Sequence, residues 1–263
     1  MTENKTVNKY AGLLDFAGRC IVITGALSGA GREIARVFIE CGADVILTYN
    51  HSSGGEKWFR DNYPDSNIRV MHLDQSDTFS IESFASEIAA DDTRIDCIIN
   101  NAGIYPSKDI EDIDTSDWDE MMDTNSKGPF FLVKALKPFM KKGSSVINIS
   151  SINATNPSRY LAHYGISKAA VEMMTRAQAQ AYGSDIRVNC IAPGLIYKEG
   201  QEEFIPGWTE SYKERSPLHK LVQPEEIGKT CLFLASDLAS AITGQVITVD
   251  CGVGLAPYFY NEL

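Results

Sequence analysis

The stretch CIVITGALSGAGREIARVFIEC, Cys20 to Cys41, contains a strand, a turn and a helix in succession. Cys20 to Thr24 is short, nearly continuously apolar and rich in β-branched residues. A strand buried on both faces reads this way. From Ala30 to Cys41 the apolar residues return at helical spacing. Between the two lie Gly25, Gly29 and Gly31. Glycine permits a tight turn and lets backbone N–H groups come close to a ligand. At a helix N-terminus those groups and the dipole favour a pyrophosphate. Three glycines alone are a weak signal. Their place between a first strand and a first helix makes them a dinucleotide-binding turn.

Outward from this unit the pattern repeats. Further strand-like runs are DVILTY (44–49), IRVMHL (68–73), IDCIIN (95–100), SSVINIS (144–150), RVNCIA (187–192) and QVITVD (245–250). Helical patterns cover 80–90, 117–139, 162–182 and 225–236. Strands alternating with helices imply right-handed crossovers and a parallel sheet covered on both sides. The expected fold is α/β: one Rossmann-like doubly wound parallel sheet of about seven strands with helices on both faces. Residues 1–15 read as an N-terminal extension and 16–263 as a single domain. The irregular segment at about 195–219 reads as a substrate lid, since long loops in compact domains are usually functional.

Composition narrows the function. The formal net charge of −11 repels phosphate backbones, so no nucleic-acid partner is expected. The longest apolar runs are strand-sized, so no membrane partner is expected. The N-terminal MTENKTVNKYAGLLDF lacks the apolar core of a signal peptide. Cys20, Cys41, Cys97, Cys190, Cys231 and Cys251 are scattered, with no C-x-x-C pair. They read as reduced, mostly buried thiols of a cytoplasmic protein. The acidic run DIEDIDTSDWDEMMD (109–123) lacks EF-hand spacing and glycine, so it reads as a solvated helix start, and no metal is expected.

Tyr164 and Lys168 stand four apart in a helical pattern, which puts both on one face. The pair alone does not decide between decoration and chemistry. A free tyrosine has a pKa of about 10. A unit positive charge at about 4 Å, at an effective dielectric of about 20, contributes about 4 kcal/mol. That would bring the phenol near 7, where a general acid–base works best. The expectation is therefore that Lys168 acidifies Tyr164. Adjacent His163 points about 100° away and makes no couple with it.

Together these motifs resemble the short-chain dehydrogenase/reductase family. They are T-G-x-x-x-G-x-G from Thr24, NNAG ending at Gly103, DTNSKG around Asn125, INISS ending at Ser151, Tyr164-x-x-x-Lys168, RVNCIAPG ending at Gly194, and ITGQVITVDCG ending at Gly252. The resemblance runs from about Phe16 to Gly252, to the single-domain type similar to 3-oxoacyl-acyl-carrier-protein reductases. It implies an NAD(P)-dependent oxidoreductase interconverting a secondary alcohol and a ketone, with a small-molecule carbonyl or alcohol as substrate. By resemblance, Ser151 orients the substrate oxygen and Tyr164 is the general acid/base. Lys168 lowers the tyrosine's pKa and bonds the nicotinamide ribose, and Asn125 anchors a water near the lysine. The spacing to Tyr164 favours Ser151 over Ser150.

The implied cofactor contacts are Gly25, Ser28, Gly29, Ala30 and Gly31 at the turn, and Tyr49 and Asn50 after the second strand. Asp74 lies at the adenine, followed by Asn101, Ala102 and Gly103, then Tyr164 and Lys168, then Pro193, Gly194 and Ile196. Tyr49 stands where the family's NAD enzymes carry Asp, so no acid repels a 2′-phosphate. This favours NADP(H) over NAD(H), with Arg32, His51, Ser52 and Ser53 as donors. Tyr197 and Lys198 stand where the family commonly has the Thr that holds the nicotinamide carboxamide. Backbone or another side chain must take that place. The lid aromatics Tyr197, Phe204, Trp208 and Tyr212 either pack the lid or meet a ring-shaped substrate. The tail APYFYNEL (256–263) and the family's usual symmetry point to a homotetramer or homodimer, bundled through helices around 117–139 and 162–182. A non-catalytic dinucleotide sensor is the alternative; the presence of Asn125, Ser151, Tyr164 and Lys168 favours the enzyme.

Overall fold

The computed structural model describes residues 12–200 and 207–255. The N-terminal residues 1–11, Phe204 and the tail 256–263 lie outside the described residues, as does the side chain of Trp208. The elements run β1 (Cys20–Ile23), α1 (Gly29–Glu40), β2 (Asp44–Tyr49), α2 (Glu56–Asn62), β3 (Ile68–His72), α3 (Thr78–Ala90) and β4 (Ile95–Asn100). Then come α4 (Thr115–Met122), a π-helical turn (Asp123–Lys127), α5 (Gly128–Leu136), β5 (Met140–Ile149), α6 (Ala162–Tyr182) and β6 (Arg187–Pro193). The chain closes with α7 (Trp208–Arg215), α8 (Pro224–Ala235) and β7 (Val246–Val249).

The seven strands form one parallel sheet in the order β3-β2-β1-β4-β5-β6-β7. The order reverses between β1 and β4, and a crevice opens there at the carboxyl ends of the strands. Strand alternation feeds two cores. Ile21 and Ile23 of β1 join Ile34 and Phe38 of α1 and Ile227 and Cys231 of α8 on one face. Val22 joins Phe84 of α3 and Leu132 and Leu136 of α5 on the other. Phe16 is buried against Phe38, with ring centroids 5.1 Å apart.

Two helices lack the pattern that betrays the others. Helix α2 buries only Phe59, and ion pairs at helical spacing, Glu56 with Arg60 and Lys57 with Asp61, brace its outer side. Helix α7 lies inside the segment expected to be irregular. It buries Thr209 and Tyr212, with Ser216 just beyond, so it shows no apolar stripe. Strand β5 starts earlier than its apolar run, because Met140 pairs with Ile95 before the register shifts.

All six cysteines are unpaired. Burial pushes the Cys20 thiol up to about 11 and those of Cys97 and Cys190 up to about 12. It also raises Cys41, Cys231 and Cys251. Among the described residues no helix is long and apolar enough to cross a membrane.

Candidate active site

The glycine turn sits at the mouth of the crevice. Gly25 has φ +61°, a region that favours glycine. A Cβ on Gly31 would collide with the Gly25 carbonyl and come within 2.7 Å of Asn101 Nδ2. Asn101 staples this turn, its Nδ2 donating to the Thr24 carbonyl at 2.9 Å. The Thr24 hydroxyl in turn accepts from the Asn101 and Ala102 N–H groups at 3.0 and 2.9 Å. Ser28, at the N-cap of α1, makes no side-chain capping bond, so its hydroxyl and the first N–H groups of the helix remain for an anion. A bare turn walled by backbone beside open helix donors fits a dinucleotide pyrophosphate.

At the end of β2, Tyr49 is half-buried and meets His72 edge-on at 5.7 Å. Burial works to raise the Asp74 carboxyl. Bonds from Ser76 and Asn50 outweigh it and hold the acid below its ordinary value. The Arg32 guanidinium lies over the Trp58 ring, 5.0 Å from its centroid. No acid stands at the β2 terminus itself.

Asn125 lies in the π-helical turn, where Gly128 N–H reaches back to the Asp123 carbonyl. Such turns recur at functional sites. Its side chain clasps Ile104 in both directions, accepting the N–H at 2.9 Å and donating to the carbonyl at 2.8 Å. Nδ2 also donates to Ser167 Oγ at 3.1 Å. Asn125 is thus committed to protein partners through its side chain. Gly103 faces both it and the lysine: a Cβ there would be 3.0 Å from Asn125 Oδ1 and 3.4 Å from Lys168 Nζ.

Ser151 lies two residues past the end of β5 and caps the short turn after it, its hydroxyl accepting the Asn153 N–H at 3.1 Å. Ser150 points the other way, into α6, bonding the Lys168 carbonyl at 3.1 Å and Glu172 at 3.3 Å. The distinction drawn from spacing follows strand alternation. Tyr164 and Lys168 share a face of α6, with Nζ 5.7 Å from the ring centroid. The ammonium donates to the Ile149 carbonyl at 2.9 Å.

The electrostatics differ from the expectation. Burial raises the Tyr164 phenol above its ordinary value; the Ser151 hydrogen bond opposes this and neighbouring Tyr105 adds to it. Burial also pushes Lys168 down to about 8. Burial of the phenol outweighs what lowers it in the free protein, and the lysine ammonium donates to a carbonyl instead of to the phenol.

Residues 25–254 match the family model described as Enoyl-(Acyl carrier protein) reductase. The chain belongs to the short-chain dehydrogenase/reductase family. It is thus an NAD(P)-dependent oxidoreductase of this family, working between CH–OH and carbonyl. This dehydrogenase/reductase is 32% identical over 241 residues to the 3-oxoacyl-[acyl-carrier-protein] reductase FabG of Thermotoga maritima, covering 90% of this chain and 98% of that one. It is 32% identical over 247 residues to the NADP-dependent (R)-specific alcohol dehydrogenase of Lentilactobacillus kefiri, covering 89% and 96%. The crystal structure of a short-chain dehydrogenase/reductase, glucose/ribitol dehydrogenase, from Brucella melitensis superposes with a TM-score of 0.82 at 32% identity, covering 91% and 98%.

Sequence reading passed over several residues that build the dehydrogenase/reductase crevice. Buried Gln75 donates to the Ala102 and Thr124 carbonyls at 2.9 and 2.8 Å, tying the NNAG segment to the π-helical turn. Tyr105 is 62% exposed and its ring lies 6.2 Å from that of Tyr164. Thr24 opens the glycine motif and Gln75 follows Asp74, which was the available signal. Tyr105 carries none.

Proposed function

We propose that the protein is an NADP(H)-dependent carbonyl reductase, interconverting a ketone and a secondary alcohol on a small molecule, with Tyr164 as general acid/base. The observation that carries this is the Ser151–Tyr164 hydroxyl pair at the end of β5, with Lys168 on the same helix face. The bound nicotinamide cofactor supplies or takes the hydride. Ser151 and Tyr164 direct their hydroxyls at the substrate oxygen. The Tyr164 phenol donates its proton to the substrate oxygen in reduction and takes it back in oxidation. Lys168, near 8, exchanges protons in the working range and restores the phenol after transfer.

The preference for NADP(H) is supported by Tyr49 where an acid would select NAD, by Arg32 over Trp58, and by an NADP-dependent relative. Tyr105 at the mouth and Tyr197 beside the lid favour a ring-bearing or partly apolar substrate. Trp118, Phe130, Phe131, Ile166 and Met173 leave large apolar side chains exposed on α4, α5 and α6. They support assembly of a twofold homodimer or homotetramer through these helices.

The test is NADPH consumption by the purified protein against cyclic ketones, keto-sugars and oxosteroids, repeated with Tyr164→Phe. Tyr164→Phe is expected to lower kcat by about 10²- to 10⁴-fold while NADPH binding stays unchanged. Near-parental turnover in the variant removes Tyr164 from the chemistry. Tight binding with no turnover on any carbonyl favours the sensor. A monomer by light scattering at micromolar concentration overturns the assembly.

A further inference from the structure

We infer that Tyr212 is a positioning residue for the nicotinamide end of the site, taking from the lid helix the place of the threonine absent at Tyr197 and Lys198. The inference rests on the oxidoreductase reading above. Three hydrogen bonds fix the strip after Gly194. The Leu195 N–H donates to the Tyr212 hydroxyl at 2.8 Å. The Val222 N–H donates to the Leu195 carbonyl at 3.2 Å, and the Tyr197 N–H donates to the Val222 carbonyl at 2.8 Å. This is a parallel bridge centred on Ile196. In parallel pairing, the residue between the two bonded neighbours turns its own N–H and C=O away from the partner strand. Ile196 therefore offers a donor and an acceptor side by side, opposite Val222, beyond the end of β6. That is the complement of a primary carboxamide.

The Tyr212 hydroxyl is the pin that comes from the lid. Tyr212 is only 8% exposed, although its helix, WTESYKER, is mostly polar. A Cβ on Gly194 would lie 2.7 Å from the hydroxyl and 2.8 Å from Asp250 Cβ, so only glycine there lets the phenol reach Leu195. The far end of α7 is anchored separately, by the Ser216 hydroxyl donating to the Cys251 carbonyl at 2.8 Å. The Tyr212 hydroxyl thus joins the cofactor strip to the lid helix. Threonine would bind the carboxamide directly; tyrosine acts one step back, by holding the backbone that binds it.

Tyr212→Phe keeps the ring and removes the pin. In the free protein, deuterium exchange at the Leu195 amide should accelerate about tenfold, with the amides of β6 unchanged. The Kd for NADPH should rise about five- to tenfold, the worth of one buried hydrogen bond. The Kd for 2′-phospho-ADP-ribose, which lacks the nicotinamide, should not move. Ser216→Ala loosens the lid without touching Leu195 and should leave the ratio of the two Kd values as in the parent. Equal weakening of both ligands by Tyr212→Phe, or none of either, overturns the inference. A parent protein that binds neither ligand overturns the oxidoreductase reading instead.

Discussion

At the nucleotide end of the crevice backbone lies against backbone, whereas at the substrate end charged side chains tie one loop to another. Gly31 has no room for a Cβ, and Thr24 and Asn101 close the turn with part-buried bonds. The loop after Gly103 is held to the segment before α6 by Lys108 N–H on the Tyr160 carbonyl at 2.9 Å. Beyond the Asn125 clasp on Ile104, ion pairs tie it further, Arg159–Asp109 to that segment and Lys108–Asp117 to α4. Backbone packing dictates residue type, because only one side chain fits. Ion pairs dictate only charge, and solvent competes for them. One end of the site is therefore fixed in kind, and the other is free to change with the substrate.

Thr24→Val should have the largest effect on this contrast. It strips the acceptor from two N–H groups in a partly buried turn, at about 1–2 kcal/mol each, so unfolding in urea should show a loss of ~3 kcal/mol. A loss below ~1 kcal/mol would mean the turn is not held as described.

Lys168, where the two ends meet, comes next. Its ordinary value of 10.5 falls to about 8 on burial. Below about 8 both folded and unfolded chains carry the proton, and the burial penalty is fully present. Between about 8 and 10.5 the folded chain releases its proton first, so stability rises with pH, by at most ~3 kcal/mol. Lys168→Met should abolish that rise. Melting curves for both proteins across this window check it, and parallel pH trends would break the account.

Gly31→Ala should weaken NADPH binding about hundredfold, since the turn must shift to admit the methyl group. A fluorescence titration checks this, and parent-like affinity would show that the turn yields. The smallest effect belongs to the substrate end. Arg159→Ala should cost less than ~1 kcal/mol in a urea titration. A cost above ~2 kcal/mol would place that loop with the rigid half.

The same contrast explains what the sequence discloses. The glycine turn, the alternation of strands with helices and the Tyr164–Lys168 face were legible because backbone geometry restricts them to a few residue types. Helix α7 was not, because it docks through Thr209 and Tyr212 and leaves no periodic apolar signal. The direction of the Tyr164 shift was not legible either. It depends on burial and on where the ammonium points, and spacing along a helix gives neither. Tyr105 and Tyr212 act across the fold on partners 59 and 17 residues away, Tyr164 and Leu195. Reading along the chain does not bring such partners together.

The raised thiols also make the molecule its own recorder of opening. The reactive species is the thiolate, so at neutral pH an alkylating reagent marks a buried cysteine only when its surroundings come apart. Cys97 in β4 and Cys231 in α8 share one core and should be marked in step. Cys190 lies in the small cluster between α6 and β6, and its marking times the release of the helix that carries Tyr164 and Lys168. Mass spectrometry of the alkylated chain would then give the sequence in which the layers let go, with no label added by design.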